Sequence, residues 1–194
     1  MKKYALLIVA LFVTNAAFAK DLPPKLGSEQ VIFLTYKLAG ETPPFDEWAD
    51  ADGKRSAYEI ERLYNITAKR TDLAQFHRDL ELALYGYDEK TGRAPLGEIK
   101  AGFLSSPLVD VAGVEVHIDN ADDFAYWNLS SQKYQEIVKS NNGNARYNFV
   151  SSLTVKGVNK TKPRNKDNKY VLNLHWDKLY IYTKDKEVLL DTIE

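Results

Sequence analysis

The acidic run around residue 50 comes closer to a metal-binding spacing than any other stretch of this chain. Asp50, Asp52, Gly53 and Glu59 fall at the third, fifth, sixth and twelfth places of a calcium-binding EF-hand loop. Those places call for two carboxylates, a glycine that allows a sharp turn and a bidentate glutamate. Two departures count against it. Trp48 occupies the first ligand position and cannot coordinate, and Arg55 sits at the eighth, which is ordinarily apolar. Glu59 is also claimed by Ser56, three residues before it, as the partner in a helix-capping box. The expectation is therefore an acidic, helix-breaking loop over residues 41–53, interrupted by Pro43 and Pro44. Asp50, Asp52 and Glu59 stand as the calcium candidates, and no metal is assigned.

A second acidic cluster spans residues 110–123, with Asp119, Asp122 and Asp123 close to His117. Carboxylates beside an imidazole suit a divalent cation or acid–base work, but the spacing matches no metal pattern, and Asp122 or Asp123 can equally cap a turn before Phe124. The other histidines are His77, followed one helical turn later by Glu81, and His175, expected on the exposed face of a strand. The chain has no HExxH arrangement, no nucleophile elbow, no phosphate-binding loop and no dinucleotide fingerprint. A glycosidase needs only one well-spaced carboxylate pair, and the 27 acidic residues single out no such pair. No catalytic residue and no cofactor follow from the sequence.

The sharpest charge asymmetry is basic. Lys156, Lys160, Lys162, Arg164, Lys166 and Lys169 face a single acid, Asp167, across residues 156–169, where Asn159, Pro163, Asn165 and Asn168 mark a loop. As a connector its lysines discourage edge-to-edge sheet pairing. As a binding element, Lys160, Lys162, Arg164 and Lys166 would meet anionic lipid, phosphorylated polysaccharide or an acidic protein. Trp176, Tyr180 and Tyr182 offer stacking surfaces, although aromatic residues are favoured in strands in any case.

The elements that must position these residues divide into two parts. Residues 20–27 read as a mobile, Pro-containing leader. Residues 28–97 read as helical: Ser28 caps a first helix that stops at Gly40. Ser56 caps a second, with Ile60, Leu63, Tyr64 and Thr67 on one face. Leu73, Phe76, Leu80 and Leu84 suggest a third, ending at Gly86, or a continuation of the second as one long helix, since residues 69–73 contain no Gly or Pro. Residues 98–194 read as an antiparallel sheet with one helix packed on it. Strand-like runs at 98–104 and 108–118 precede a capped helix near 130–140, which stops at Asn141, Asn142 and Gly143. Tyr147, Phe149, Leu153 and Val155 share one strand parity. So do Tyr170, Leu172, Leu174 and Trp176, after which the apolar parity shifts at Asp177 and Lys178 to Leu179 and Ile181, as a bulge or sheet corner requires. A polar turn at 183–187 leads to a last strand at 188–193. The expected class is α+β, and residues 28–194 are taken together as one domain.

The first nineteen residues supply an address. Lys2 and Lys3 precede an unbroken apolar run over residues 5–13, and Ala17, Phe18 and Ala19 give the small-residue pattern of a signal-peptidase site before Lys20. The apolar run is about half of the roughly 20 residues that span a bilayer, so cleavage after Ala19 is expected to leave a periplasmic or secreted protein with no transmembrane anchor. Cleavage removes two lysines and no acid, which takes the formal net charge from −1 to −3 and argues against a nucleic-acid binder. The chain has no cysteine. Disulfides and thiol chemistry are therefore excluded, and in an oxidising compartment the fold rests on packing.

The C-terminal pattern ARYNFVSSLTVKGVN followed by YVLNLHWDKLYIYTKDKEVLLDTI, with LTYKLAGETPPFDEWA and ITAKRTDLAQFHRD before it, resembles a family of uncharacterised exported bacterial proteins, the domain-of-unknown-function family numbered 4852. The resemblance covers most of the chain after residue 19. It implies export and the same order of elements, and it implies no activity and no site residues. The sequence thus favours a non-enzymatic module that associates with an envelope component of unknown identity (protein, anionic lipid or polysaccharide). The alternative is a carboxylate-based envelope hydrolase.

Overall fold

The computed structural model describes residues 22–83, 86–96, 104, 106, 108–161, 170–186 and 188–194. The expected signal peptide and its cleavage site lie outside these residues. So do Leu84, the run 98–103 and the basic residues Lys162, Arg164, Lys166 and Lys169.

The protein is α+β, with N-terminal helices leading into a multistranded sheet on which a further helix packs. Helix α1 (Ser28–Ala39) starts one residue from the expected cap. Gly27 is its N-cap, and the Gln30 side chain accepts from the Gly27 amide at 2.8 Å. Gly40 ends it in the left-handed region at φ 69°, as expected. Residues 31–36 are buried without interruption, because α1 is covered on two sides, with the Thr35 hydroxyl satisfied by Val31 O at 2.8 Å. Val31 and Leu34 join the sheet core, while Ile32, Phe33 and Tyr36 join a second cluster built with the other helices.

The acidic loop expected over residues 41–53 contains a helix, α2 (Phe45–Asp52), closed by Gly53 at φ 64°. A single buried residue explains it. Trp48 is fully enclosed, its ring centroid 5.0 Å from that of Tyr36 and 6.0 Å from that of Phe33, and Asp46 and Glu47 lie in the first turn, where the helix dipole favours anions. Helix α3 (Ala57–Ala68) begins as the sequence requires. Ser56 Oγ accepts from the Glu59 amide at 3.3 Å, and Glu59 Oε2 accepts from the Ser56 amide at 2.8 Å.

The third expected helix is instead a strand, β1 (Gln75–Ala83). Phe76 and Leu80 are four residues apart, a spacing that suits one face of a helix and one face of a strand alike. The residue between them on the inward face is Arg78, 5% exposed, and that buried cation hides the alternation. The leader is corrected as well. Over residues 23–26 it lies along β1, with the Leu26 amide donating to His77 O at 3.1 Å and the His77 amide donating to Pro24 O at 2.9 Å. Leu26 itself is 1% exposed.

A two-stranded ribbon, β2 (Arg93–Pro95) against β4 (Tyr126–Asn128), flanks the main sheet. The expected strand over 108–118 divides into a short helix, α4 (Val109–Ala112), a left-handed Gly113, and β3 (Val114–Ile118). Helix α5 (Ser131–Ser140) is capped by Ser130 and places Ile137 in the sheet core. In the main sheet β1 pairs with β5 (Arg146–Lys160), and β5 pairs with β6 (Tyr170–Tyr182), both antiparallel. The far edge of β6 is divided between two strands. β3 lies parallel to its first half, so the sheet is not wholly antiparallel, and β7 (Leu189–Ile193) lies antiparallel to its second half.

The parity shift in β6 is a bulge at Asp177. Ser152 faces Lys178 and Leu153 faces Trp176, which leaves Asp177 unpaired in the ladder. Leu172, Leu174, Trp176, Leu179 and Ile181 thereby all point into one core, against Phe76, Phe149 and Leu153. A second irregularity, between Val155 and Gly157, leaves Lys156 out of register on β5. Gly157 has φ 137° there, a conformation essentially reserved for glycine.

Candidate functional site

The second irregularity opens a cleft of about 330 Å³ where α1, the 69–74 connection and β5 meet. Its apolar wall comes from Leu34 and Leu38, one turn apart on α1, with Leu73, Ala74, Val155 and Gly157 opposite. Leu34 and Leu73 are buried, whereas Leu38 is 45% exposed at the lip. The cleft exists because β5 outruns its neighbour. The β1–β5 ladder ends with the Val155 amide donating to Ala74 O at 2.9 Å, and beyond that bond β5 continues past the start of β1.

Three cations rim this apolar wall: Lys37, Arg70 and Lys156. The Lys37 ammonium donates to the carbonyl of Arg70 at 2.5 Å, joining the end of α1 to the segment that follows α3. Arg70 holds Asp72 through two hydrogen bonds of 3.0 and 2.8 Å. Asp72 keeps the Arg70 guanidinium charged to higher pH than usual, and the same pair holds the Asp72 carboxyl below its ordinary value of 3.8. Lys156, on the bulge, is exposed. With Arg70 paired to Asp72, the surplus positive charge of the rim comes from Lys37 and Lys156, on a chain whose formal net charge is −1.

Of the four basic residues singled out from the sequence, Lys160 is described. It ends β5 and makes an ion pair of 2.5 Å with Glu41, which ties the α1–α2 connection to the strand. Lys162, Arg164 and Lys166 lie outside the described residues. The register of Lys160 with Tyr170 shows that residues 161–169 connect β5 and β6, as expected.

The calcium candidates do not converge. Asp50 is exposed on α2. Asp52 accepts from Arg55 Nε and Nη2 at 3.0 Å and from the Arg55 amide at 3.0 Å, while Glu29 accepts from Arg55 Nη2 at 2.7 Å and from Nη1 at 3.0 Å. Those bonds to Arg55 hold the Asp52 carboxyl below its ordinary value. Glu59 is engaged by Ser56, which lowers its pKa in the same way. Arg55 thus occupies the position that a cation would need, and it clamps α1 and α2 at the start of α3. Among the described residues no three His, Asp or Glu side chains come together as a metal site.

The second acidic cluster does meet an imidazole, but not the expected one. Asp119 Oδ1 lies 2.7 Å from Nδ1 of His175, and Asn120 Nδ2 lies 3.5 Å from its Nε2 while donating to Trp176 O at 2.9 Å. Directly across the β5–β6 pair from His175, Thr154 donates to Asp177 at 2.8 Å and accepts from Gln75 at 3.1 Å. These contacts form a hydrogen-bonded polar face on the sheet. His77 points to the 23–26 segment, its Nδ1 2.5 Å from Pro23 O. Trp176 is a core residue, 2% exposed.

A second cleft, about 430 Å³, lies at the start of α1 between Phe33, Leu63 and Ile66. Its cation is Arg55, already neutralised by Glu29 and Asp52.

Compared with protein-family profiles, with curated proteins and with solved structures, the chain matches none. Among the described residues no helix is long and apolar enough to cross a membrane.

Proposed function

We propose that this protein is a non-enzymatic binding module of the cell envelope that engages an anionic component through the positive ground around the α1–β5 cleft. The observation that carries this reading is the convergence of Lys37, Arg70 and Lys156 on one exposed apolar cleft, next to the strand end that leads into the basic 161–169 connection. An apolar surface rimmed by cations is complementary to a molecule that pairs negative charge with hydrocarbon. Export with cleavage after Ala19, a periplasmic location and membership of the 4852 family belong to the same proposal and rest on the sequence segments quoted above. Among the described residues, the acids whose pKa is displaced (Asp52, Glu59, Asp72, Asp79 and Asp88) are displaced downward. A hydrolytic general acid requires the opposite displacement, so the carboxylate-hydrolase reading has less support.

The test is retention on vesicles. Residues 20–194 should sediment with phosphatidylglycerol-containing vesicles at low salt, stay in solution with phosphatidylcholine, and be released as salt rises. Equal retention on both lipids, or on neither, would refute the proposal.

A further inference from the structure

We infer that the α1–β5 cleft takes a single alkyl chain of an anionic amphiphile, with its head group held between Lys37 and Lys156, beside the Arg70–Asp72 pair. This inference rests on the anionic-binding reading above and adds to it the ligand class and the residues that read it. A flat cationic patch would satisfy surface attraction alone. Here the cations surround a recess instead, lined by Leu34, Leu38, Leu73, Ala74, Val155 and Gly157, whose volume of about 330 Å³ is within the range of small-molecule sites.

Two details support an occupant with both parts. Leu38 is a large apolar side chain left 45% exposed one helical turn from buried Leu34, so the apolar face of α1 continues out of the core and into the cleft. Gly157 contributes no side chain where β5 bulges, and a Cβ added there would meet nothing within 4 Å, so the wall at that point borders open space. The bulge that admits Gly157 also places Lys156 on the rim. The irregularity at Gly157 therefore supplies one of the charges of a recess that exists because β5 runs past the start of β1. Inorganic phosphate would reach only the rim, and an uncharged detergent would fill only the recess.

The experiment compares dodecyl phosphate, below its micelle concentration, with butyl phosphate, inorganic phosphate and dodecyl maltoside by calorimetric titration of residues 20–194. Dodecyl phosphate should bind at least tenfold more tightly than each of the others. Leu38→Gln and Ala74→Phe change exposed positions, the first making the lip polar and the second filling the recess. Each should weaken dodecyl phosphate at least tenfold, with circular dichroism confirming the fold, whereas Lys133→Gln on α5, outside the cleft, should leave it within about twofold. Equal binding of butyl and dodecyl phosphate, equal binding of dodecyl maltoside, or indifference to Ala74→Phe would each overturn the inference while retention on vesicles kept the broader reading intact. Loss of both dodecyl phosphate binding and vesicle retention in the wild-type protein would overturn both.

Discussion

Replacing Arg78 separates what its charge does from what its hydrocarbon stem does. Arg78 is 5% exposed on the inward face of β1, opposite Ser151, and donates to Leu26 O at 3.3 Å and to Ser28 Oγ at 3.0 Å. Burial lowers its pKa, which nearby Asp79 opposes, so the charge is held at a cost. In Arg78→Met the stem is largely kept and the desolvation cost disappears. What is lost includes the hydrogen bonds to Leu26 O and Ser28 Oγ, and relief of the desolvation cost offsets them, so stability should stay within about 1 kcal/mol of wild type. Arg78→Ala shares that balance of lost bonds and relieved desolvation but also loses roughly two methylenes of packing at about 0.8 kcal/mol each and leaves a cavity. The packing loss adds about 2–3 kcal/mol, a fall in Tm of roughly 4–12 °C for a chain of this size. Urea unfolding of both variants measures the difference. If Met costs as much as Ala, the guanidinium itself holds β1 to the start of α1, and the packing argument is wrong.

Three other outcomes follow from the structure. Burial pushes the Asp79 carboxyl up, but the ammonium groups of Lys186 and Lys25 outweigh it and hold the pKa below 3.8. The unfolded chain therefore takes up this proton first, so the stabilisation is present above about pH 4 and is lost as pH falls through the folded value; Asp79→Asn should flatten that acid limb in unfolding free energy measured against pH. Gly157→Ala should cost about 1–3 kcal/mol by chemical denaturation, from backbone strain at φ 137° rather than from a clash; an unchanged midpoint would show that the bulge relaxes freely. Titration with micromolar calcium should give no saturable heat, since Arg55 occupies Asp52 and Ser56 occupies Glu59, and micromolar binding abolished by Asp52→Ala would contradict this.

The sequence reveals an element wherever one local cause dominates. Ser56 with Glu59, Gly40, Ser130 and the parity shift at Asp177 each act within a few residues, and each appears in the structure where expected. It misleads where a single residue contradicts its neighbours. Arg78 facing inward disguises β1, and Trp48 alone turns an acidic, proline-flanked stretch into a helix. The 23–26 segment carries no strand pattern, because it is held in place by backbone bonds to β1. The cleft was the least legible feature. Lys37, Arg70 and Lys156 come from three separate segments and meet only through tertiary packing. The signals that bear on it are Gly157 inside a strand run, which suggests a bulge, and the exposed end of the apolar face at Leu38. His175, partly exposed as expected, meets Asp119 because the segment after β3 passes beside β6, a parallel pairing that local pattern does not encode.

The most direct test of the account compares two charge changes of equal size at different places. Lys37→Gln with Lys156→Gln removes two charges from the rim of the cleft, whereas Lys133→Gln with Lys139→Gln removes two exposed charges from α5, packed near the opposite end of β5. Lys156 stands ten residues along β5 from Arg146, about 33 Å at roughly 3.3 Å per strand residue. Each charge near an anionic surface contributes about 1 kcal/mol. The rim pair should therefore lower affinity for phosphatidylglycerol vesicles about thirtyfold at low salt, and the α5 pair should leave it within about twofold. Equal losses in the two double variants would contradict the account, since attraction would then follow overall charge and not the cleft.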